Sequence, residues 1–142
     1  MTIAAILKGR TGEIFSVTGD MPLRDAVAML AEHRIGAVPV LRDGAVAGIF
    51  SERDVIYCLK SDGAAVLDWP VERVMTAPAI TVTADVGVLA ALSQMTKRRI
   101  RHLPVVEGDR LIGIVSIGDL VKYRIDRIEQ EAEAMREYIQ SA

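Results

Sequence analysis

Two stretches of the chain each have the sequence pattern of a β-hairpin followed by the start of a helix. In the later stretch, apolar residues dominate His102–Val106 and Arg110–Val115, and the turn Glu107–Asp109 between them contains a glycine. A helix is expected to begin at Ser116. The same order of apolar and polar positions occurs 65 residues earlier and leads to Ser51. The chain is therefore predicted to contain one unit twice.

Identical residues at this offset extend the repeat beyond the two hairpins. Each hairpin is preceded by a short apolar strand, Ile14–Thr18 or Ile80–Thr83, and then by a helical pattern. The result is an α/β fold with two β-α-β-β-α units. Each unit is too small to bury its own sheet face, so we expect the two to pack against one another. The identical pairs are Val17/Val82, Thr18/Thr83, Asp20/Asp85, Ala26/Ala91, Arg34/Arg99, Ile35/Ile100, Pro39/Pro104, Val40/Val105, Gly48/Gly113, Ile49/Ile114, Ser51/Ser116 and Asp54/Asp119.

Helix boundaries follow from capping residues and from the positions of glycine and proline. Asp20 and Asp85 are N-cap candidates for helices that run to about His33 and over Val86–Lys97. A short helical turn is expected over Thr2–Lys8. The predicted segments are an N-terminal helical segment (1–13), a first repeat (14–62), a connector with helical turns (63–78), a second repeat (79–123) and a helical extension (124–142).

The last helix carries an apolar seam that its counterpart in the first repeat lacks. Its apolar residues recur at spacings of 4 and 3, as in a heptad repeat, and charged residues occupy the other faces. A helix of roughly 25 residues is ~37 Å long, too long for so small a domain to cover its apolar edge. We expect the seam to pack on a second copy of the chain; the alternative is a helix folded back over its own domain. The seam consists of Val121, Ile125, Ile128, Ala132, Met135 and Ile139.

Composition and charge exclude several classes of protein. Of the 142 residues, 51% are hydrophobic and 25% are charged, which is typical of a folded domain rather than a disordered chain. The net charge of −2 provides no general attraction to nucleic acid or to an anionic membrane. We expect no transmembrane span, because the longest apolar runs are far below ~18 residues. We expect no signal peptide, because the apolar region Met1–Leu7 is too short and no small-residue cleavage site follows it. The single cysteine, Cys58, favours a reducing, cytoplasmic setting.

A serine followed three residues later by an aspartate stands at the same place in both repeats. Ser51 with Asp54, and Ser116 with Asp119, form capping-box patterns, and one such pattern alone would indicate only a helix start. The recurrence after the same strand adds a functional alternative. A carboxylate accepts both hydrogen bonds from the vicinal hydroxyls of a ribose, and serine hydroxyls and N–H groups at a helix start suit a phosphate.

The only basic cluster of the sequence runs from Lys97 to His102. Lys97 and Arg98 fit the C-terminus of a helix, where cations complement the helix dipole. Arg101 and His102 lie beyond that helix and are free for another role. Nucleic-acid binding is not favoured, because only 4% of the residues are aromatic. No residues show metal-ligand spacing or pair a nucleophile with a base, so we expect no metal site and no enzyme.

The ordered motifs resemble the tandem cystathionine β-synthase (CBS) domain pair, often called a Bateman module. The resemblance covers roughly Ile14 to Lys122 and includes, in both copies, a Pro-Val strand, a turn and Gly-Ile-x-Ser-x-x-Asp. It implies two repeats packed pseudo-symmetrically about their sheets, with two clefts that commonly bind AMP, ADP, ATP, NAD or S-adenosylmethionine. It also implies a homodimer in which two modules meet as a flat disk.

The resemblance further implies a set of ligand contacts. Asp54 and Asp119 would each hold the ribose hydroxyls of one ligand, with Ser51 and Ser116 near its ribose or phosphate. Arg53, whose counterpart is a glycine, would reach a phosphate, so the clefts are expected to differ. The other implied positions are Ile35–Gly36 and Ile100–Arg101 at the adenine edge, Thr18–Gly19 and Thr83–Ala84 closing the purine pockets, Arg101 and His102 facing the phosphates, and Pro104. The second repeat is expected to supply most of the phosphate charge, and the first to bind a less charged ligand or none. The sequence leaves open which cleft Arg101 and His102 serve.

Two functions from different classes fit these features. The first is a regulatory module that senses the adenylate energy charge or the NAD pool and acts on a separate, unidentified protein. The second is a homo-oligomeric interaction or scaffolding protein whose clefts are vestigial. The serine and aspartate present in both motifs argue against this second function. An enzyme is least favoured, because the sequence shows no general base or metal site.

Overall fold

The fold alternates helices and strands in two similar halves. The computed structural model describes residues 1–10 and 12–141. The helices are α1 (Ile3–Lys8), α2 (Leu23–His33), α3 (Glu52–Asp62), α4 (Val88–Arg98) and α5 (Ile117–Ser141), and the strands are β1 (Val17–Thr18), β2 (Ala37–Arg42), β3 (Ala45–Ser51), β4 (His102–Glu107) and β5 (Arg110–Ser116). Two 3-10 helices, Gly63–Asp68 and Val71–Arg73, connect the halves. The predicted α/β fold class and the predicted long last helix are confirmed.

The strands form one sheet in the order β1-β2-β3-β5-β4. The hairpins β2-β3 and β4-β5 are antiparallel, and they join where Ala45 pairs with Arg110. The outer strands are shorter than the sequence predicts. The first is reduced to β1, which lies parallel to β2, and Ile80–Thr83 is reduced to one parallel bridge between Val82 and Val105. Pairing is short because a turn follows directly in each half.

The predicted N-caps of α2 and α4, Asp20 and Asp85, are wrong. Pro22 and Gly87 occupy the N-cap positions, and neither helix start has a side-chain cap. Each aspartate instead accepts a hydrogen bond from the hydroxyl of the threonine two residues before it, which closes a local turn. The first N–H group of each helix donates to a main-chain carbonyl of another segment, so this donor is satisfied without a side chain. These carbonyls belong to Trp69 for α2 and to Met1 for α4.

Each half has its own apolar core, and a segment outside the repeat completes it. Phe50 is fully buried in the first core, together with Val66 and Val71 of the connector. Leu103 is fully buried in the second core, together with Ile3 of α1. Burial of each such side chain stabilises the fold by roughly 1.5–3 kcal/mol. The connector and α1 therefore play equivalent structural roles.

Two equivalent glycines allow these outer segments to cross the sheet closely. A Cβ added to Gly48 would lie 2.7 Å from the carbonyl oxygen of Thr76, and one added to Gly113 would lie 2.7 Å from Cδ2 of Leu7. Neither position accepts a side chain unless its neighbour moves. The close crossings hold the end of the connector and the N-terminal segment beside the edges of β3 and β5.

Only the first part of α5 packs on the rest of the chain. Leu120 is fully buried in the second core, and α5 contacts α1, α4 and β5. All residues from Ile125 to Ser141 are exposed. The alternative in which this helix folds back over its own domain is therefore wrong. Among the described helices, none is both long and apolar enough to cross a membrane.

Candidate functional site

Two clefts lie where the halves meet, and each combines a Ser-x-x-Asp pair of one repeat with a loop of the other. The Asp54 cleft has a volume of about 550 Å³. One wall is the end of β3 and the start of α3, and the other is formed by residues 78–80 and 99–102. The Asp119 cleft has a volume of about 830 Å³. One wall is the end of β5 and the start of α5, and the other is formed by residues 12–15 and 34–37. Each carboxylate therefore faces the other repeat.

The position of Arg101 and His102, which the sequence leaves open, is visible in the structure. Arg101 lines the Asp54 cleft, and His102 lines both clefts. Gly36 also borders both, and a Cβ added to it would lie 3.5 Å from Oε1 of Glu52 and 3.5 Å from Cε1 of His102. The basic residues of the second repeat thus lie beside the carboxylate of the first repeat, which the repeat pattern alone does not reveal.

Asp54 forms the predicted capping box and retains capacity for a further donor. Its Oδ2 accepts the N–H of Ser51 at 2.9 Å and the Ser51 hydroxyl at 3.2 Å. Its Oδ1 accepts the hydroxyl of Thr76 at 3.1 Å. Each carboxylate oxygen has two lone-pair positions, so Oδ1 can accept one more hydrogen bond. The capping role of Asp54 is therefore compatible with a ligand contact.

Asp119 forms the second capping box and an ion pair in addition. Its Oδ2 accepts the N–H of Ser116 at 2.8 Å and lies 2.5 Å from Nη2 of Arg10. Burial disfavours ionisation of this carboxyl, but the Ser116 hydrogen bonds and Arg10 together outweigh burial. The pKa of Asp119 is consequently lowered from its ordinary value. Asp119 is an ionised carboxylate at neutral pH.

Basic side chains gather in the Asp54 cleft. The residues are Arg53, Arg99, Arg101 and His102. Within the described part of the chain, none of the three guanidinium groups has a carboxylate oxygen within 4.0 Å. Arginines without a paired carboxylate in a concave site attract anions and bind phosphate oxygens through two parallel hydrogen bonds.

His102 is uncharged at neutral pH. Burial is the largest influence and lowers the pKa of His102 below its ordinary value. Asp119 and Glu52 raise this pKa, whereas Arg101 and Arg53 lower it further, without reversing the effect of burial. The neutral imidazole donates one hydrogen bond, and an anion bound beside it would favour the protonated form.

Five of the residues that the family resemblance implies as ligand contacts do not line either cleft within the described part of the chain. These residues are Thr18, Gly19, Thr83, Ala84 and Pro104. The turns after the first strands are covered by the connector and by α1. Gly19 packs so closely on Glu72 that an added Cβ would lie 2.8 Å from Oε2, and Ala84 accepts the N–H of Ala4 at 2.9 Å. Both threonines hold their local turns, and Pro104 lies within β4. None of the five lines a cleft among the described residues, and their predicted ligand contacts stay predictions.

Three arginines and a threonine are among the lining residues that the sequence does not single out as ligand contacts. Arg10 and Arg34 line the Asp119 cleft, and Thr76 and Arg99 line the Asp54 cleft. Arg34 and Arg99 are identical at the repeat offset, and both end a helix in the left-handed conformation, with φ of 52° and 55°. Arg10 and Thr76 lie outside the predicted repeats, which carry no signal for them. Among the described residues, no group of three or more His, Cys, Asp or Glu side chains is placed to hold a metal.

The chain belongs to the CBS-domain family. The family model for the CBS domain matches it twice, over residues 10–61 and 71–126. The tandem pair expected from the sequence is therefore confirmed.

The chain is similar to proteins whose names carry the CBS domain. The chain is 35% identical over 148 residues to the CBS domain-containing protein CBSX3, mitochondrial, of Arabidopsis thaliana, with 98% of this chain and 72% of that protein covered. It is 37% identical to the solved CBS-domain containing protein ATU1752 from Agrobacterium tumefaciens, with a TM-score of 0.83 over 87% of this chain and 99% of that chain. The CBS domain pair of protein MJ0100, solved with 5′-methylthioadenosine and S-adenosyl-L-methionine, is 23% identical, with a TM-score of 0.78 over 89% and 98% of the two chains. This last likeness concerns the fold.

Proposed function

We propose that the chain is a non-catalytic regulatory module that binds a phosphate-bearing adenosyl nucleotide in the Asp54 cleft. The observation that carries this proposal is the convergence of Arg53 from one repeat and Arg101 and His102 from the other beside an ionisable carboxylate. No ion pair within the described chain neutralises these arginines. The candidate ligands are AMP, ADP, ATP and NAD(H).

The ribose is assigned to Asp54. Its Oδ1 has one acceptor position left beside Thr76, and Oδ2 is held by the capping box, so the carboxylate is fixed before the ligand arrives. A fixed acceptor loses little conformational entropy on binding. Ser51 lies at the same helix start and is assigned to the ribose or to the nearest phosphate.

The remaining parts of the nucleotide match other walls of the cleft. Ile49 and Ile80 provide apolar surface for the two faces of a purine, and the main chain at Ile100 is assigned to its polar edge. Arg53 and Arg101 are assigned to the phosphates. In this arrangement the adenosyl group and the phosphates contact both repeats at once.

A ligand that contacts both repeats provides a physical basis for regulation. It stabilises the arrangement of the repeats in which both sets of contacts are made, at the expense of other arrangements. A separate partner protein would respond to the altered surface, and the quantity sensed would be the adenylate energy charge or the NAD pool. The fold accommodates adenosyl compounds, since the MJ0100 pair was solved with two of them. The single cysteine is consistent with a reducing compartment such as the cytoplasm.

We further propose that the module is a homodimer joined in part by α5. The seam defined by Val121, Ile125, Ile128, Ala132, Met135 and Ile139 continues along the exposed part of this helix, where Ile125 and Ile128 are 49% and 47% exposed. In a parallel, in-register pair, Arg124 would face Glu129 of the second copy, and Glu131 would face its Arg136. Opposite charges at these flanking positions favour such pairing. The same seam favours the alternative function, an assembly protein.

Calorimetric titration with AMP, ADP, ATP, NAD, NADH and S-adenosylmethionine tests the binding proposal. We expect at least one phosphate-bearing nucleotide to bind, and Asp54→Asn to weaken its binding by about tenfold or more, because a hydrogen bond to a charged acceptor is lost. Asparagine keeps an oxygen for the N–H of Ser51, so the helix start is preserved.

The matched control is Asp62→Asn, which removes an exposed carboxylate at the other end of α3. It should bind as the wild type does. Equal affinities of the wild type and Asp54→Asn would contradict the ribose assignment. Absence of binding by every nucleotide would favour the assembly function.

A further inference from the structure

The Asp119 cleft already contains a side chain of the protein itself. The guanidinium of Arg10 lies 2.5 Å from Oδ2 of Asp119 through Nη2, and its Nη1 donates to the carbonyl oxygen of Ile114 at 2.5 Å. One planar group thus contacts Oδ2 of the carboxylate, which also accepts the Ser116 N–H, and a neighbouring main-chain acceptor, and it stands beside Oδ1 in the cleft. Asp119 and Arg10 are each more than one third exposed, so the pair is open to water and to competing ligands.

The equivalent acceptors of the Asp54 cleft are occupied differently. The N–H of Thr76 donates to the carbonyl of Ile49 at 2.9 Å, and its hydroxyl donates to Asp54 at 3.1 Å. A short hydroxyl therefore replaces a guanidinium. Within residues 1–10 and 12–141, no cationic side chain lies within 4.0 Å of the Asp54 carboxylate. The two clefts have the same acceptor groups, but the internal partner is a hydroxyl on Oδ1 of Asp54 in one and a guanidinium on Oδ2 of Asp119 in the other.

We propose that Arg10 is a built-in competitor that keeps the Asp119 cleft closed to nucleotides while the Asp54 cleft stays open. This inference rests on the proposed function. A ribose approaching Asp119 meets the guanidinium, and neutral hydroxyls replace a charge-assisted pair only in part. A nucleotide therefore enters the Asp119 cleft only when Arg10 moves out, which lowers its apparent affinity by the fraction of molecules in which Arg10 is displaced.

The chain around Arg10 allows this movement without unfolding the domain. Helix α1 is anchored by hydrogen bonds from Ile3 and Ala4 to the second repeat, both at 2.9 Å, and by Leu7 against Gly113. Arg10 lies beyond that helix, between Gly9 and Gly12, and Gly12 has a φ of +134° that other residues rarely adopt. The arginine can leave Asp119 while α1 stays in place.

Calorimetric titration with AMP and with ATP tests this inference on the full chain. We expect one binding site per wild-type chain. Arg10→Ala should reveal a second site, or strengthen a weak second site by about fivefold, the range of a partly exposed ion pair. Adding Asp119→Asn to Arg10→Ala should remove the second site and leave the first. The matched control is Arg24→Ala, which breaks another exposed arginine–aspartate pair, with Asp68, and should titrate as the wild type does.

The outcomes separate this inference from the proposed function. One site in every variant, or two equal sites in the wild type that Arg10→Ala leaves unchanged, would overturn the role of Arg10 and leave the proposed function intact. Absence of binding in both the wild type and Arg10→Ala would overturn the proposed function and the inference with it. Hydrogen exchange gives a second measurement: a nucleotide that fills the Asp119 cleft should speed exchange next to Arg10 but not within α1.

Discussion

At the residue scale, the carboxylate of each Ser-x-x-Asp pair caps a helix and also contacts a further polar side chain. In both pairs, Oδ2 accepts the serine N–H, at 2.9 Å for Asp54 and 2.8 Å for Asp119. The difference lies in the additional partner, which is the hydroxyl of Thr76 or the guanidinium of Arg10. The capping pattern was therefore readable from the sequence, whereas the availability of each carboxylate depends on residues outside the repeats.

His102 should make nucleotide binding depend on pH. Its pKa is lowered by burial, so it is neutral at neutral pH and gains a proton as the pH falls. The protonated ring binds phosphate more strongly, so binding takes up a proton and affinity should rise between pH 7.5 and 5.5. The affinity should rise by up to about tenfold for each unit by which the bound phosphate raises the pKa of His102.

Comparison with His102→Asn isolates this effect from the titration of the nucleotide itself. Calorimetric titrations with AMP at pH 7.5, 6.5 and 5.5 should show a weaker pH dependence for the variant than for the wild type. The same pH dependence in both proteins would mean that His102 does not contact the phosphate.

At the element scale, the repeat offset predicts which elements occur twice but not how the two copies meet. Hairpins, capping boxes and the long last helix follow from local patterns, and the structure contains them. The N-caps at Asp20 and Asp85 failed because main-chain carbonyls from other segments take the first N–H groups of those helices. A nucleotide that bridges the two repeats follows from the sequence, but which residues of each repeat share a cleft was hidden, since it depends on how β3 packs beside β5.

The close crossings at Gly48 and Gly113 predict unequal costs for the same substitution. A Cβ at Gly48 meets the carbonyl oxygen of Thr76 at 2.7 Å, and this main-chain atom cannot move alone. A Cβ at Gly113 meets the flexible end of Leu7. Gly48→Ala should lower the free energy of unfolding by about 1–3 kcal/mol, and Gly113→Ala by less.

Urea unfolding of both variants measures this difference, and each variant serves as the control for the other. The strain at Gly48 should appear as a lower midpoint with an unchanged slope. A larger loss for Gly113→Ala would show that the N-terminal segment, rather than the connector, is the rigid crossing.

At the scale of the whole molecule, the exposed part of α5 is the feature that a single chain leaves unexplained. Ile128 lies at the centre of the seam and should be buried in the proposed homodimer. Ile128→Asp should therefore yield a monomer, because a charge would be buried between two helices without a partner. Light scattering after size-exclusion chromatography measures the mass.

Gln130→Asp is the matched control, because it adds the same charge to the same exposed helix outside the seam. It should stay dimeric. A monomeric wild type, or a dimer that survives Ile128→Asp, would contradict pairing through this seam.

The account as a whole depends on one claim, that the Asp54 cleft holds an adenosyl nucleotide between the two repeats. The most direct measurement is a crystal structure of the chain with the tightest-binding nucleotide of the titration panel. We predict ribose hydroxyls on the carboxylate of Asp54 and phosphates beside Arg53 and Arg101, with Arg10 still paired to Asp119. A nucleotide bound only in the Asp119 cleft, or at a surface outside both clefts, would contradict the account.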